Sequence, residues 1–75
     1  MQQDELIKLG KRIKILRNKK KMTLSALCYR NGLEPSTVSR IEAGVVEAKY
    51  LTLIKIAKAF DIELHELLNF NNIDQ

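Results

Sequence analysis

The chain has 75 residues, a net charge of +4, 5% aromatic residues and one cysteine. This length predicts a single domain, 1–75, with a small core, and domains of this size often gain stability by oligomerising. One cysteine excludes an internal disulfide and leaves too few ligands for a typical metal site. We therefore expect no metal, no cofactor and a reducing, cytoplasmic location. The polar start at residues 1–5 is unlike a signal peptide, and no apolar run approaches the ~18 residues of a membrane span.

The positive charge is concentrated in the first part of the chain. Residues 1–30 carry nine basic and two acidic side chains, whereas residues 31–75 carry four basic and seven acidic ones. A basic half favours a polyanionic partner, although solvated helix faces give the same pattern. The charge alone therefore does not decide between the two interpretations.

Apolar residues recur with the helical period in five segments, which predicts an all-α protein. The predicted helices cover about 5–20, 24–30, 35–43, 50–60 and 63–70, with a core of about 5–70 and a frayed tail at 71–75. The predicted inward-facing residues are Leu6, Leu9, Ile13, Leu16, Val38, Ile41, Tyr50, Leu53, Ile54, Ala57, Phe60, Leu64, Leu67 and Leu68. The predicted outer face of the first helix carries Lys8, Lys11, Arg12, Lys14 and Lys19.

Local signals define the connection between the second and third helices. Thr23 is a good N-cap for the second helix, which we expect to end at Asn31 and Gly32. Pro35 suits the first position of the third helix, because its missing N–H group would have no partner there. Two helices joined by about four residues that include a glycine are typical of a helix-turn-helix.

Several motifs then share one register over about sixty residues. They comprise LGKRI at 9–13, residues 16–17, 22–23, 27–28 and 32–33, STVSRIEAG at 36–44, LIKIAKAF at 53–60 and DIELHELL at 61–68. In these motifs the chain resembles the Xre/Cro-type helix-turn-helix regulators, which include phage repressors, antitoxins and restriction-modification controller proteins. The resemblance implies a five-helix, phage-repressor-like domain whose third helix enters the major groove. It also implies a structural ion pair between Arg17 and Glu42, with two exposed charges as the alternative.

The chain departs from the family pattern in three places. Leu24 stands where the family usually has a glutamine that contacts phosphate, and Pro35 stands where it often has a polar base-reading residue. The loop at 45–49 lacks the usual proline and most of the basic residues. We therefore expect fewer phosphate contacts than in basic-loop relatives.

The candidate DNA contacts lie on and around the third helix. N-terminal residues of a recognition helix contact base edges, and arginine can donate two hydrogen bonds to guanine. We assign base reading to Pro35, Ser36, Thr37 and Arg40, and phosphate contacts to Lys21, Thr23, Ser39 and Lys49. Alternatives remain open: Ser36 and Thr37 as helix caps, Pro35 as a helix initiator, and Arg40 as a phosphate contact or a solvated side chain.

Three further features are interpreted as structural. Cys28 is expected to be a buried small residue rather than a redox sensor. The pair His65 and Glu66 begins a zinc-protease motif, but Asn69 stands where the second histidine would be. The apolar residues Leu24, Tyr29, Val45 and Val46 are expected to pack on a neighbour or on DNA, or to be ordinary exposed side chains.

The function favoured by the sequence is sequence-specific binding of double-stranded DNA by a small dimeric transcription regulator acting on a palindromic operator. The alternative is a protein-interaction module, such as an antitoxin whose main ligand is another protein. An enzyme is excluded, since no nucleophile–base pair, carboxylate dyad or phosphate loop is visible. The predicted dimer interface is the fifth helix and its surroundings, through Leu67, Leu68, Phe70 and Ile73.

Overall fold

The computed structural model describes residues 2–70, with side chains from residue 4 onward. It contains five helices: α1 (Gln2–Lys19), α2 (Leu24–Cys28), α3 (Pro35–Glu42), α4 (Tyr50–Ala59) and α5 (Leu64–Leu67). Residues 2–70 include no β-strand, so the prediction of an all-α, five-helix fold is confirmed. The predicted tail at 71–75, and with it Ile73, lies outside the described residues.

Two helices are shorter than the sequence predicts, and each has a side chain that caps its last carbonyls. α2 ends at Cys28 because the backbone becomes extended at Tyr29 (ψ 125°), and the Asn31 amide then donates to the Leu27 carbonyl over 2.7 Å. α5 ends at Leu67, whose carbonyl accepts from Arg12 Nε over 3.2 Å. A nearby side chain thus caps the end of α2, whereas a side chain from α1 caps the end of α5.

Side chains from all five helices form the core. Its members are Leu9, Ile13, Leu27, Cys28, Val38, Ile41, Ile56, Ala57, Phe60 and Leu67. The prediction for α4 was wrong at Tyr50, which is 66% exposed, and it omitted Ile56, which is fully buried. α4 carries apolar residues on more than one side, and contact with α2 and α5 selects the side that is buried.

Arg12 was placed on the outer face of the first helix, and this placement was wrong. The residue is only 7% exposed, and its guanidinium donates to the carbonyls of Leu67 and Glu66 over 3.2 and 2.7 Å. Carbonyls at a helix C-terminus carry partial negative charge and lack intrahelical partners. Arg12 thus compensates its own burial by capping α5 and joins α1 to it.

The predicted dimer interface also needs correction at Leu67. This side chain is fully buried among the core residues of its own chain, so it cannot contact a second copy without unfolding α5. Leu68 is 39% exposed, whereas Phe70 packs in part against the core. Of the predicted interface residues that the structure describes, only Leu68 belongs to the exposed apolar surface.

α1 crosses the C-terminal end of α3 at a very short distance. A Cβ atom on Gly10 would lie 2.5 Å from the Ile41 carbonyl oxygen and would also collide with that of Glu42. Both atoms belong to the backbone of α3, which cannot move aside as a flexible side chain can. Gly10 is therefore required by the approach of the two backbones.

Gly10→Ala is expected to destabilise the protein by about 1–3 kcal/mol, the usual cost of overpacking. Helix propensity alone predicts the opposite change, since alanine is favoured over glycine by roughly 0.5–1 kcal/mol in a helix interior. Urea denaturation followed by circular dichroism measures the change. Asn18→Ala, an exposed change on the same helix, is the control and should stay within about 0.5 kcal/mol of the parent. A Gly10→Ala variant of unchanged or higher midpoint would contradict the backbone contact.

Candidate nucleic-acid interface

α2, the connection at residues 29–34 and α3 form the helix-turn-helix. Thr23 caps α2, since its Oγ1 accepts a hydrogen bond from the Ala26 N–H over 3.0 Å. Pro35 occupies the first turn of α3, and the buried side chains of Val38 and Ile41 anchor that helix in the core. The fixed inner face leaves the opposite face of α3 open to solvent.

That outer face carries the predicted base-reading residues. Pro35, Ser36 and Arg40 are exposed, and Thr37 is half-buried. Ser36 and Arg40 are four residues apart, so they lie above one another on the same side of the helix. Among residues 4–70 the Arg40 side chain forms no ion pair, and its guanidinium is exposed to solvent.

The predicted phosphate contacts lie before α3, on it and after it along the chain. Lys21 and Thr23 are exposed in the turn before α2, where Lys21 has a left-handed backbone (φ 55°), and Ser39 is exposed on α3 itself. Lys49 is exposed at the start of α4 and lines a cleft of about 350 Å³ with Thr37, Glu34 and Glu47. Lys49 and Thr37 therefore line one cleft, together with two glutamates that the sequence did not place there.

Two of the departures from the family pattern have a structural explanation. Leu24 and Val46 are partly buried and pack against the core, so their apolar side chains serve the fold. Val45 is exposed and lies in the loop after α3. None of these side chains can donate a hydrogen bond to phosphate.

Arg17 and Glu42 form a two-point ion pair that holds α1 against the end of α3. Arg17 Nε and Nη2 donate to the two carboxylate oxygens over 2.8 and 3.1 Å, and Nη1 donates to the Met22 carbonyl over 2.9 Å. The two side chains are 15% and 9% exposed. The hydrogen bonds that Arg17 donates to the Glu42 carboxylate raise the pKa of Arg17 above its ordinary value, so Arg17 is charged at neutral pH. The stability linked to this shift is present at neutral pH and is lost as the pH rises through the raised pKa.

The remaining candidate groups do not form a reactive site. Burial raises the pKa of the Cys28 thiol, which keeps it protonated and unreactive at neutral pH. His65 is exposed. Among residues 4–70 no three His, Cys, Asp or Glu side chains are grouped as metal ligands, and no described helix is long and apolar enough to cross a membrane.

Sequence reasoning missed two side chains that matter here. Asn31 fixes the turn by donating to the carbonyls of Leu27 and Tyr29, and its place beside Gly32 was the available signal. Glu34 lies at the N-cap position of α3, directly before Pro35, and its carboxylate is exposed. The sequence places Glu34 directly before Pro35. Only the structure shows that its carboxylate forms no hydrogen bond with the helix.

Comparison with known proteins agrees with this architecture. Residues 13–67 match the family model described as "Helix-turn-helix". The chain therefore belongs to this helix-turn-helix family, and it is a DNA-binding protein of the transcription-regulator class. Among solved structures it is similar to the restriction-modification controller protein C.AhdI from Aeromonas hydrophila, with 34% identity and a TM-score of 0.81. The match covers 85% of this chain and 97% of that protein. No curated protein matches the sequence.

Glu42→Ala is expected to destabilise the protein by about 3 kcal/mol, because it leaves a largely buried guanidinium without its counter-charge. Chemical denaturation measures this loss. Glu47→Ala removes an exposed carboxylate that forms no ion pair with residues 4–70, and it should change stability by no more than about 0.5 kcal/mol. Equal midpoints for the two variants would show that the Arg17–Glu42 pair contributes nothing.

Proposed function

We propose that the chain binds a palindromic DNA operator as a homodimer and regulates transcription from it, with α3 of each copy in the major groove. The observation that carries this proposal is the exposed face of α3, where Ser36 and Arg40 project from a helix anchored by Val38 and Ile41. A rigid helix with unengaged polar side chains matches what direct reading of base edges requires. The similarity to a restriction-modification controller protein supports a controller or repressor type, working in the cytoplasm.

Within this proposal two lysines and two hydroxyl side chains around α3 bind the DNA backbone. Lys21, Thr23 and Ser39 contact phosphates on one side, and Lys49 contacts a phosphate on the other. These contacts position the helix, whereas the base contacts supply the sequence preference. Pro35 starts the helix and lies close enough to its tip to touch a thymine methyl group.

A second copy of the chain would cover the apolar face of α4 and α5. Tyr50 and Leu51 are 66% and 67% exposed, and Tyr50, Ile54 and Leu64 line a groove of about 300 Å³ between the two helices. Large exposed apolar side chains beside a groove are typical of an interface. A dimer through this face leaves α3 uncovered and joins two half-sites about 34 Å apart, or one turn of DNA.

Exposed apolar residues outside this face favour a second candidate, a protein-interaction module. Tyr29 is 66% and Val45 is 65% exposed; Tyr29 lies in the connection of the helix-turn-helix and Val45 in the loop after α3, so neither is on α4. Selection of bound duplexes from a random pool distinguishes the candidates. A selected palindrome supports the regulator, and a pool without any enriched sequence supports the module.

Arg40→Ala is expected to cost about 1–3 kcal/mol of binding free energy at one base position and to relax the preference there. Lys49→Ala should weaken binding to every sequence about equally and reduce the salt slope by roughly one unit. Ser36→Ala should affect a neighbouring position more weakly, because it removes a single neutral hydroxyl. Binding of operator and scrambled DNA across a salt series measures all three. If Arg40→Ala lowers both affinities equally, Arg40 is a phosphate contact.

Leu51→Asp is expected to shift the protein from dimer to monomer, because it places a charge in the proposed apolar interface. Sedimentation equilibrium over a concentration series measures the association. Tyr29→Asp is the matched control, since Tyr29 has nearly the same exposure on a different surface and should leave the dimer intact. A parent protein that stays monomeric at high concentration, with and without DNA, would exclude the dimer.

A further inference from the structure

Glu34 caps α3 with its backbone but not with its side chain. Its carbonyl accepts the Val38 N–H over 3.1 Å, while the exposed carboxylate forms no hydrogen bond with the helix it precedes. Side chains do make hydrogen bonds at the starts of α2 and α5, whereas Lys49 at the start of α4, like Glu34, makes no cap. Thr23 Oγ1 accepts from Ala26 N–H, and Glu66 Oε1 accepts from Glu63 N–H over 2.9 Å. The Glu34 carboxylate is thus left for another role.

The helix dipole favours a carboxylate at this end of α3, but glutamate is not among the residues that cap a helix best by hydrogen bonding. Serine, threonine, aspartate and asparagine are the preferred N-caps, because their short side chains reach the first free N–H groups. The residue at the position that would complete a capping box is Thr37, which is neither a glutamate nor a glutamine. A locally poor residue with no compensating contact is typical of a functional position.

The position of Glu34 places it at the edge of the proposed base-reading face. It lies three residues before Thr37, one helical turn away, and it lines the same cleft as Thr37 and Lys49. The first residues of a recognition helix are those that contact bases in the major groove. Glu34 therefore shares a cleft with a proposed base-reading residue and a proposed phosphate contact.

We propose that Glu34 reads one cytosine in each operator half-site by accepting a hydrogen bond from its N4 amino group. This inference rests on the docking of α3 proposed above. An ionised carboxylate only accepts hydrogen bonds, and cytosine N4 is a donor in the major groove. Guanine presents N7 and O6 and thymine presents O4, all acceptors that the carboxylate repels. Adenine presents a donor beside an acceptor and is intermediate.

A carboxylate at this site also lowers the affinity for all DNA, because the phosphates repel it. Discrimination between partners is a difference of affinities, and repulsion of the wrong partner contributes to it as much as attraction of the right one. Glu34 therefore favours sequence selectivity over general adhesion. Lys49 in the same cleft offsets part of the repulsion of the backbone.

Selection from a random duplex pool, with the full chain as parent, Glu34→Gln and Glu34→Ala, tests the proposal. Glu34→Gln should change the selected base from cytosine to adenine at one position per half-site, since glutamine pairs with adenine N6 and N7. The change in discrimination there should be about 5- to 100-fold, with the other positions unaltered. Glu34→Ala should lose preference at that position while binding scrambled DNA more tightly than the parent.

Glu47→Gln is the matched control, because it neutralises the other exposed carboxylate of the same cleft. It should raise affinity for all sequences and leave the selected sequence unchanged. The Glu34 proposal is overturned if Glu34→Gln, like Glu47→Gln, raises affinity for all sequences and leaves the selected sequence unchanged, while the parent selects a defined operator. A parent that selects no sequence overturns the proposed function itself, and base reading by Glu34 with it. Melting curves of each variant confirm that the fold is retained.

Discussion

The close approach of α1 to the C-terminal end of α3 is the contact on which the rest of the structure depends. Gly10 lets the backbone of α1 reach the carbonyls of Ile41 and Glu42, and Arg17 is then close enough to bind Glu42 at two points. The same guanidinium donates to the Met22 carbonyl at the entry to α2. One side chain therefore fixes the end of α1, the start of α2 and the end of α3 relative to one another.

This arrangement anchors α3 through its last residue, which follows the base-reading residues of the proposed complex. Glu42 is the last residue of α3, where the helix dipole disfavours a carboxylate, and Arg17 offsets that cost. Val38 and Ile41 hold the inner face, so the first turn of α3 projects from a fixed base. A recognition helix held in this way loses little conformational freedom on binding, which favours affinity.

Arg12 stabilises the end of α5, as Arg17 stabilises the end of α3. α5 has four residues and is too short to be stable alone, since isolated helices shorter than about 12–15 residues are marginal in water. The burial of Leu67 and the two hydrogen bonds from Arg12 hold it against α1. The proposed dimer face therefore depends on α1 as much as the helix-turn-helix does, and α1 connects the two surfaces.

The sequence by itself determined the five helices, the helix-turn-helix and the family, because these rest on local signals. Helical periodicity, the Thr23 cap and Pro35 each act over a few residues, and the motifs from 9 to 68 keep one register. Long-range contacts decided the rest. Periodicity places Arg12 on the outside of an isolated helix, but the carbonyls of α5 make its burial favourable. α4 has apolar residues on several sides, so only its packing partners decided that Ile56 is buried and Tyr50 exposed. The burial of Leu67 likewise followed from the position of α5 against the core.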